Sequence, residues 1–351
     1  MAYTTVDDGS AHFTTTLYTG NASTNAITNS ANAGDFQPDW VWLKSRNSGT
    51  HHRLYDSSRG ALKNILSSAA NTEATTANSL TSFDSNGFTL GSDDNSNQDT
   101  KTFVGWQWKA NGGTTSSNSD GDITSTVQAN TTAGFSIVLF TGNATAGQTV
   151  GHGLGVKPEV IFAKNRSNGN NWNVYVEAAD NTGDSTLTLN GTGAKNNSFN
   201  MWNDTAPTSS VITLGDRNET NGSSHNMVFY CFNSVKGYSK FDSYTGNGNA
   251  DGRFVYTGFK PAFIIIRPNA TFNWLTLDNK RDPINPLDTY LYPNLANGEA
   301  SDASYNIDFL SNGFKFRGTQ VNANQSGTEY YYFVWAEHPF VSSEGVPITA
   351  R

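Results

Sequence analysis

Residues 38–44 are Pro-Asp-Trp-Val-Trp-Leu-Lys, so a proline and an acidic residue stand directly before four consecutive apolar residues. Successive side chains of a β-strand point to opposite faces, and the two tryptophans would therefore fill one face while Val41 and Leu43 fill the other. A strand that is apolar on both faces is covered on two sides, or has one side facing another subunit. The proline suits the start of a strand, where its missing N–H is harmless. The stretch thus predicts a central strand.

The same kind of stretch occurs at 157–163 (Lys-Pro-Glu-Val-Ile-Phe-Ala) and at 260–266 (Lys-Pro-Ala-Phe-Ile-Ile-Ile). Two further landmarks recur in the same order. They are Thr-Gly-Asn at 19–21, 141–143 and 245–247, and an aromatic stretch at 106–108, 230–232 and 333–335. The first and second copies lie 120–124 residues apart, and the second and third copies 103 or 104. Near-constant spacing across separate landmarks indicates three tandem copies of one unit with loop insertions.

Abundant Gly, Asn, Ser and Thr suit short strands joined by many turns, and neither long helices nor heptads are present. We therefore predict an all-β chain of three tandem antiparallel β-sandwich or jelly-roll-like units. The predicted units are 1–109, 133–236 and 237–340, with a flexible Gly/Ser/Thr/Asn linker at 110–132 and a C-terminal tail at 341–351.

Three local predictions accompany this fold. Ser85-Asn86-Gly87 lies between apolar runs and predicts a hairpin turn with positive φ at two positions. Residues 61–66 (Ala-Leu-Lys-Asn-Ile-Leu) are the best candidate for a short helix. Cys231, the single cysteine, lies in an apolar run and is expected to be a buried thiol.

Charge and hydropathy exclude several classes of protein. The chain has 351 residues and a formal net charge of −8, with no cluster of Lys and Arg. A nucleic-acid partner or an anionic membrane surface would call for such a cluster. No apolar run approaches the roughly 20 residues of a membrane-spanning helix. Residues 1–8 lack the basic and apolar regions of a signal peptide, so we expect synthesis in a cytoplasm without secretion.

Few residues suggest a ligand or metal site. Asp93, Asn95, Asn97 and Asp99 alternate oxygen-bearing side chains, a spacing that could surround Ca²⁺, but the glycine and the bidentate glutamate of such a loop are missing. A hydrated loop without metal is therefore preferred. Trp202 falls in no repeat column and is the candidate for an exposed contact residue.

Catalytic chemistry finds no support in the sequence. Glycan hydrolysis needs two carboxylates about 5–10 Å apart, and no recurring acidic pair suggests one. The pairs Asp56/Arg59 and Asp278/Arg281 recur at the same spacing, which favours structural ion pairs or turn caps. Residues 337–338 (Glu-His) before a proline favour a solvated turn over an acid–base pair. We expect no enzymatic activity and no cofactor.

Several of these residues carry a resemblance to a known family. The chain resembles a domain of unknown function that is common in structural proteins of marine tailed bacteriophages, and its second unit is similar to a motif of phage tail-fibre-like proteins. The resemblance rests on 38–44, 56–60 (Asp-Ser-Ser-Arg-Gly), 82–88 (Ser-Phe-Asp-Ser-Asn-Gly-Phe), 106–109 (Trp-Gln-Trp-Lys), 152–155 (His-Gly-Leu-Gly), 157–159 (Lys-Pro-Glu), 164–166 (Lys-Asn-Arg), 336–340 (Ala-Glu-His-Pro-Phe) and 349–351 (Thr-Ala-Arg).

The resemblance implies a virion protein that is made in the host cytoplasm and released by lysis. A tail fibre or receptor-binding adhesin is the leading hypothesis, with a capsid decoration or head-fibre protein as the alternative and a glycan-depolymerising tailspike third. Expected partners are other virion proteins and a host-surface glycan or protein. A homo-oligomer is also expected, with a trimer favoured because the doubly apolar strands could supply its interface.

Overall fold

The computed structural model describes residues 3–29, 35–197 and 200–347, most of them in short antiparallel strands and turns. The chain is all-β, as predicted, and its helices are single short turns. Among the described residues, none of the helices has the length and apolar character needed to cross a bilayer.

We call the parts of the chain from β1 to β9, from β10 to β18 and from β19 to β27 the first, second and third segments. The first segment contains β1 (Phe13–Thr19), β2 (Asn25–Thr28), β3 (Trp40–Ser45), β4 (Arg53–Asp56), β5 (Lys63–Leu66), β6 (Ala74–Thr75), β7 (Leu80–Asp84), β8 (Gly87–Leu90), α1 (Asp94–Asn97) and β9 (Thr102–Trp108), after a 3₁₀ turn at Gly9–Ala11. The second contains β10 (Ser116–Asn118), β11 (Ser125–Asn130), β12 (Phe135–Thr141), β13 (Thr149–Gly151), β14 (Val160–Asn165), β15 (Asn173–Val176), β16 (Leu187–Thr188), β17 (Val211–Thr213), α2 (Asn218–Asn221) and β18 (Asn226–Phe232). The third contains β19 (Ser239–Thr245), β20 (Phe254–Tyr256), β21 (Phe259–Pro268), β22 (Leu275–Asp278), β23 (Thr289–Tyr290), β24 (Ala300–Ser301), a 3₁₀ turn (Ala303–Tyr305), β25 (Ile307–Leu310), β26 (Gly313–Phe316), α3 (Val321–Asn324) and β27 (Glu329–Pro339).

The main sheets of the three segments have corresponding strand orders: β1-β9-β3-β4, β12-β18-β14-β15 and β19-β27-β21-β22. In each, the long aromatic strand lies in the middle and pairs antiparallel with both neighbours. A smaller sheet accompanies each main sheet, with the orders β2-β8-β7, β13-β17 and β20-β26-β25. The division at the predicted unit bounds remains a prediction.

The two apolar faces of β3 have different partners. Val41 and Leu43 belong to a core with residues of the small sheet such as Phe88. Trp40 and Trp42, on the other face, belong to a larger core that contains residues of all three segments. The sequence left open whether another subunit covers one face of this strand, and in the structure that cover comes from the same chain.

The larger core is aromatic at its centre. Trp108, Phe232 and Trp335 end the three aromatic stretches, and every pair among them is in contact, with ring centroids 5.3–6.5 Å apart. Trp40 also stacks on Tyr230, with centroids 4.5 Å apart. Because large aromatic rings bury much apolar area, this centre holds the three segments together as one body.

Two predictions for individual stretches of the chain, the linker and the short helix, are wrong. The segment 110–132 is not a linker, because it contains β10 and β11, and β11 pairs with β12 over five residues. Its polar composition suits an edge strand as well as a loop. Residues 61–66 are not helical, because Leu62 has φ of 69° and β5 pairs with β4. The 85–87 hairpin is present between β7 and β8, although the positive φ falls on Gly87 (149°) and not on the two central residues. Cys231 is buried, as predicted.

Candidate functional site

Three exposed loops begin at the glycines of the Thr-Gly-Asn landmarks. We call them the anchored loops, and they comprise residues 20–24, 142–148 and 246–253. Each follows a strand that places a phenylalanine (Phe13, Phe135 or Phe241) in the shared core. The seven residues of β1 and of β12 span about 20 Å, so the first two loops lie about that far from Phe13 and Phe135. Asn, Thr, Ser, Ala and Gly dominate them, which gives a surface of short polar side chains.

A buried asparagine at the end of each short helix holds each loop. The Nδ2 of Asn97 donates to the carbonyls of Ser23 and Gly91, both at 2.7 Å, and its Oδ1 accepts from the backbone N–H of Asn21 at 3.1 Å. Asn221 and Asn324 make the corresponding three bonds in the other segments. Sequence reasoning missed this role, although the three positions share the 124- and 103-residue spacing of the aromatic strand.

The glycine of Thr-Gly-Asn is required by close packing. A Cβ on Gly20 would lie 2.1 Å from the carbonyl oxygen of Gln98, and the corresponding distances at Gly142 and Gly246 are 2.5 and 2.4 Å. No side chain fits at such a distance without moving the backbone. The strand end and the short helix are therefore in direct backbone contact.

The loops also share one backbone conformation. Ala22, Ala144 and Gly248 have φ of 50°, 55° and 66°, and the N–H of each donates to the carbonyl of the buried asparagine at 2.8 Å. This left-handed conformation costs a residue with a Cβ roughly 1–2 kcal/mol. Two of the three loops have alanine in this conformation despite its energetic cost, so the surrounding hydrogen bonds determine the loop geometry.

A polar network connects the second segment to the first. Asp56 accepts the backbone N–H of Arg59 at 2.7 Å, pairs with its guanidinium and accepts the Tyr230 hydroxyl at 2.6 Å. Glu73 then joins Arg59 to Arg166, whose Nε donates at 2.8 Å. The predicted structural role of Asp56 and Arg59 is confirmed, and the pair also reaches across the segment boundary.

The corresponding network connects the first segment to the third. Asp278 accepts the backbone N–H of Arg281 at 2.8 Å and the indole N–H of Trp106 at 3.1 Å, and it pairs with the Arg281 guanidinium. Glu299 lies 3.4 Å from Arg281 and accepts two bonds from Arg46 at 2.8 and 2.9 Å. The structural role predicted for Asp278 and Arg281 is likewise confirmed.

A third set of contacts completes a ring of segments. His52, Trp172 and Trp274 lie 120 and 102 residues apart, close to the spacing of the landmarks, and each donates a ring N–H to a backbone carbonyl of a different segment. The acceptors belong to Tyr292, Leu66 and Thr188, so the first segment bonds the third, the second bonds the first and the third bonds the second. The ring is therefore closed within one chain.

Burial and charge shift the pKa of groups at these junctions and of His152, which bonds Thr208 within the second segment. Burial alone would raise the pKa of Glu73, but the bonds and charges of Arg166 and Arg59 lower it to about 2. Burial lowers the pKa of His152 to about 4 and that of His52 well below its ordinary value. Glu73 is thus ionised and the two histidines are neutral at pH 7, states that suit fixed structural contacts.

A domain family of unknown function, DUF7483, matches residues 8–339 of this chain. The chain belongs to this family. No curated protein and no solved structure matches the chain. The match begins before β1 and ends at the last residue of β27, so the DUF7483 domain comprises the whole ring and not one segment.

Within this DUF7483 domain the calcium candidate is structural. Asp93 precedes α1, where it accepts from the hydroxyl of Ser96 at 2.8 Å, and Asn97 is committed to its loop. Asp99 is exposed, and Asn95 makes only a 3.4 Å contact with Asp93. In the described part of the chain, no three His, Cys, Asp or Glu side chains are grouped so as to hold a metal ion. The preferred hydrated loop is in fact a short helix.

The prediction for Trp202 is wrong. Its side chain is only 1% exposed and lies in the core of the second segment, with its ring centroid 5.9 Å from Phe229 and 6.0 Å from Tyr175. A position outside the repeat columns can therefore still be a core position. The tryptophan pair of β3 is buried, as predicted, and so is the pair of β9.

The predicted solvated turn at 337–338 is also wrong, because β27 continues to Pro339. The side chain of Glu337 lies outside the described residues. His338 is partly exposed, and its Nδ1 lies 3.9 Å from Asp8. The polar contacts of the anchored loops and of the segment junctions are thus fixed hydrogen bonds that hold the loops and the segments in place.

Proposed function

We propose that the chain is a non-enzymatic structural protein of a bacteriophage virion, acting as a tail fibre or receptor-binding adhesin. One observation carries the proposal: three exposed polar loops are held by the same buried asparagine contacts on strands that leave one shared aromatic core. The three segments are, in this proposal, copies of one unit. The resemblance to marine phage structural proteins supports the same function.

The physical advantage of such an arrangement is preorganisation. A loop that is ordered before binding loses less conformational entropy when it meets its partner. Connecting loops on a rigid scaffold are common binding surfaces for this reason. The closed polar networks between segments keep the three loops in fixed relative positions, which a chain of independent domains would not do.

The proposed partners are other virion proteins and a glycan or protein of the host surface. The proposed location is the virion, after synthesis in the host cytoplasm and release by lysis. The doubly apolar strands, which suggested a subunit interface, are buried within a single chain. A homotrimer remains part of the proposal, and other surfaces would have to form it.

An adsorption competition assay tests the proposed function. Host cells are incubated with the purified chain before phage is added, and we expect a dose-dependent loss of adsorption. Ala146, exposed in the second anchored loop, is replaced by arginine to obstruct that loop, and Ala77→Arg at another exposed site is the matched control. Phage adsorption that is unaffected by any concentration of the folded chain contradicts the adhesin proposal.

A capsid decoration or head-fibre protein is the second candidate, favoured by the closed arrangement of three segments around one core. Three similar surfaces on one chain suit a threefold position on a capsid. Cryo-electron microscopy of the virion separates the candidates, because density at the tail tip supports the adhesin and density on the capsid supports decoration.

A further inference from the structure

A cleft of about 580 Å³ lies at the junction of the second and third segments. Its lining includes Glu159 and Glu177 of the second segment and Lys240, Asp242 and Tyr256 of the third. A volume of this size is typical of small-molecule sites. The residues come from four separate stretches of the chain that the fold brings together.

The junction of the first and second segments shows why this cleft is open. There Asp39, which corresponds to Glu159, accepts the backbone N–H groups of Ala110, Gly112 and Gly113 at 2.7–2.9 Å. The side chain of Gln128, from β11, is fully buried beside them and donates to the hydroxyl of Ser57 at 3.0 Å.

The correspondence of the two junctions rests on backbone bonds. The N–H of Asp39 donates to the carbonyl of Trp108, and that of Glu159 to the carbonyl of Phe232, both at 2.8 Å. The N–H groups of Ser57 and Glu177 donate in turn to the carbonyls of Asp39 and Glu159. No strand corresponding to β11 pairs with β19 in the described third segment. Glu159 accepts from the hydroxyl and the backbone N–H of Ser234, where Asp39 accepts three backbone N–H groups from residues 110–113.

The cleft offers hydrogen-bonding groups and an aromatic surface together. Glu177 pairs with Lys157 at 2.6 Å, and Asp242 lies 3.4 Å from Lys240. Both carboxylates are partly exposed, and these ion pairs hold them in place. The hydroxyl of Ser234 donates to Glu159. The lining contains three carboxylates and two ammonium groups, and Lys157 neutralises one of the carboxylates, so the cleft has no excess of positive charge to hold an anionic ligand.

The aromatic surface belongs to β20. Tyr256 is 52% exposed and Phe254 45% exposed, while Val255 between them is buried, so both rings lie on the outer face of this strand. The corresponding strand of the second segment, β13, is Thr149-Val150-Gly151 and has no aromatic residue. The exposed rings are thus specific to the third segment, where the Tyr256 hydroxyl lies 3.3 Å from that of Tyr3.

We propose that this cleft binds a neutral or amino sugar unit of a host-surface glycan. The carboxylates accept hydrogen bonds from sugar hydroxyls, Lys240 donates to one, and the sugar ring stacks on Tyr256. The inference rests on the proposed adhesin function for its biological setting, and it names the site and the ligand class that the adhesin uses.

A glycan microarray with neutral, amino and acidic oligosaccharides tests the site on the full-length chain. We expect binding to neutral or amino sugars, with Tyr256→Ala and Glu177→Gln each weakening the signal at least tenfold. Ala178→Trp fills the cleft and should have the same effect. Ile284→Ala, at a residue 76% exposed elsewhere, is the control and should bind like the wild type. Thermal unfolding of every variant verifies that it is folded.

Three results would overturn the inference. They are no binding to any oligosaccharide, binding confined to acidic sugars, and binding that the folded cleft variants retain in full. The adsorption assay separates this inference from the proposed function. If folded Tyr256→Ala still blocks phage adsorption like the wild type, the cleft is not the receptor site while the adhesin function stands. If the wild type binds glycans but never blocks adsorption, the adhesin function fails.

Discussion

Replacing Asn221 by alanine tests the anchoring of the loops most sharply. The side chain is fully buried, donates to the carbonyls of Gly215 at 2.8 Å and Thr145 at 3.1 Å, and accepts the N–H of Asn143 at 2.9 Å. At about 1 kcal/mol for each net hydrogen bond, the loss is about 3 kcal/mol of unfolding free energy. Asn221→Asp should cost at least as much, because a carboxylate oxygen would face two carbonyl oxygens.

Equilibrium unfolding in urea, followed by tryptophan fluorescence, measures the effect. Asn218→Ala in the same short helix is the matched control, because Asn218 is exposed, and it should stay within about 0.5 kcal/mol of the wild type. Asn97→Ala and Asn324→Ala should cost about as much as Asn221→Ala. If Asn221→Ala unfolds at the same urea concentration as the control, the asparagine does not anchor the loop and the reasoning is refuted.

Four further outcomes are expected. Ala144→Gly should raise the unfolding free energy by about 0.5 kcal/mol, since glycine relieves the left-handed strain but gains freedom in the unfolded chain, and a lower urea midpoint would contradict this. Tyr230→Phe should cost about 1.5–3 kcal/mol by removing the hydroxyl that Asp56 accepts, and an unchanged midpoint would show that the junction does not need the bond. The unfolding free energy should fall as the pH drops from 6.5 towards 4, because His152 binds a proton in this range in the unfolded chain but not in the folded one. His152 accounts for up to about 3 kcal/mol of this fall, and His152→Gln should flatten the dependence of the thermal-unfolding midpoint on pH. Trp202→Ala should cost about 3–5 kcal/mol while glycan binding by the folded fraction is unchanged, and a binding loss without destabilisation would restore a contact role.

The sequence predicted the strands of the main sheets because alternation and burial follow directly from residue type. Trp40 and Val41 had to lie on opposite faces whichever partners covered them. The sequence could not show that both covers come from the same chain, since the same pattern would arise at a subunit interface. That choice depends on the long-range packing of Trp108, Phe232 and Trp335, whose contacts no local pattern encodes.

The site was harder to predict than the sheets. Asn97 was noticed as a possible calcium ligand because its oxygen alternates with others, yet its amide is the group that matters. Which polar side chain fits a buried position depends on the donors and acceptors around it. For Asn97 these partners lie 6 to 76 residues away in the sequence. The prediction for Trp202 was wrong for a different reason. A comparison of the three copies identifies only core positions that they share, and Trp202 fills a core position that only one segment uses.

Closure of the three segments around one core is tested most directly by small-angle X-ray scattering, under conditions where the scattering mass equals one chain of 37.9 kDa. A compact body of this length has a radius of gyration of about 20–23 Å. Three compact units joined in a row would give about 30 Å. We predict the smaller value, and a radius near 30 Å would contradict the closed ring and, with it, the fixed positions of the anchored loops.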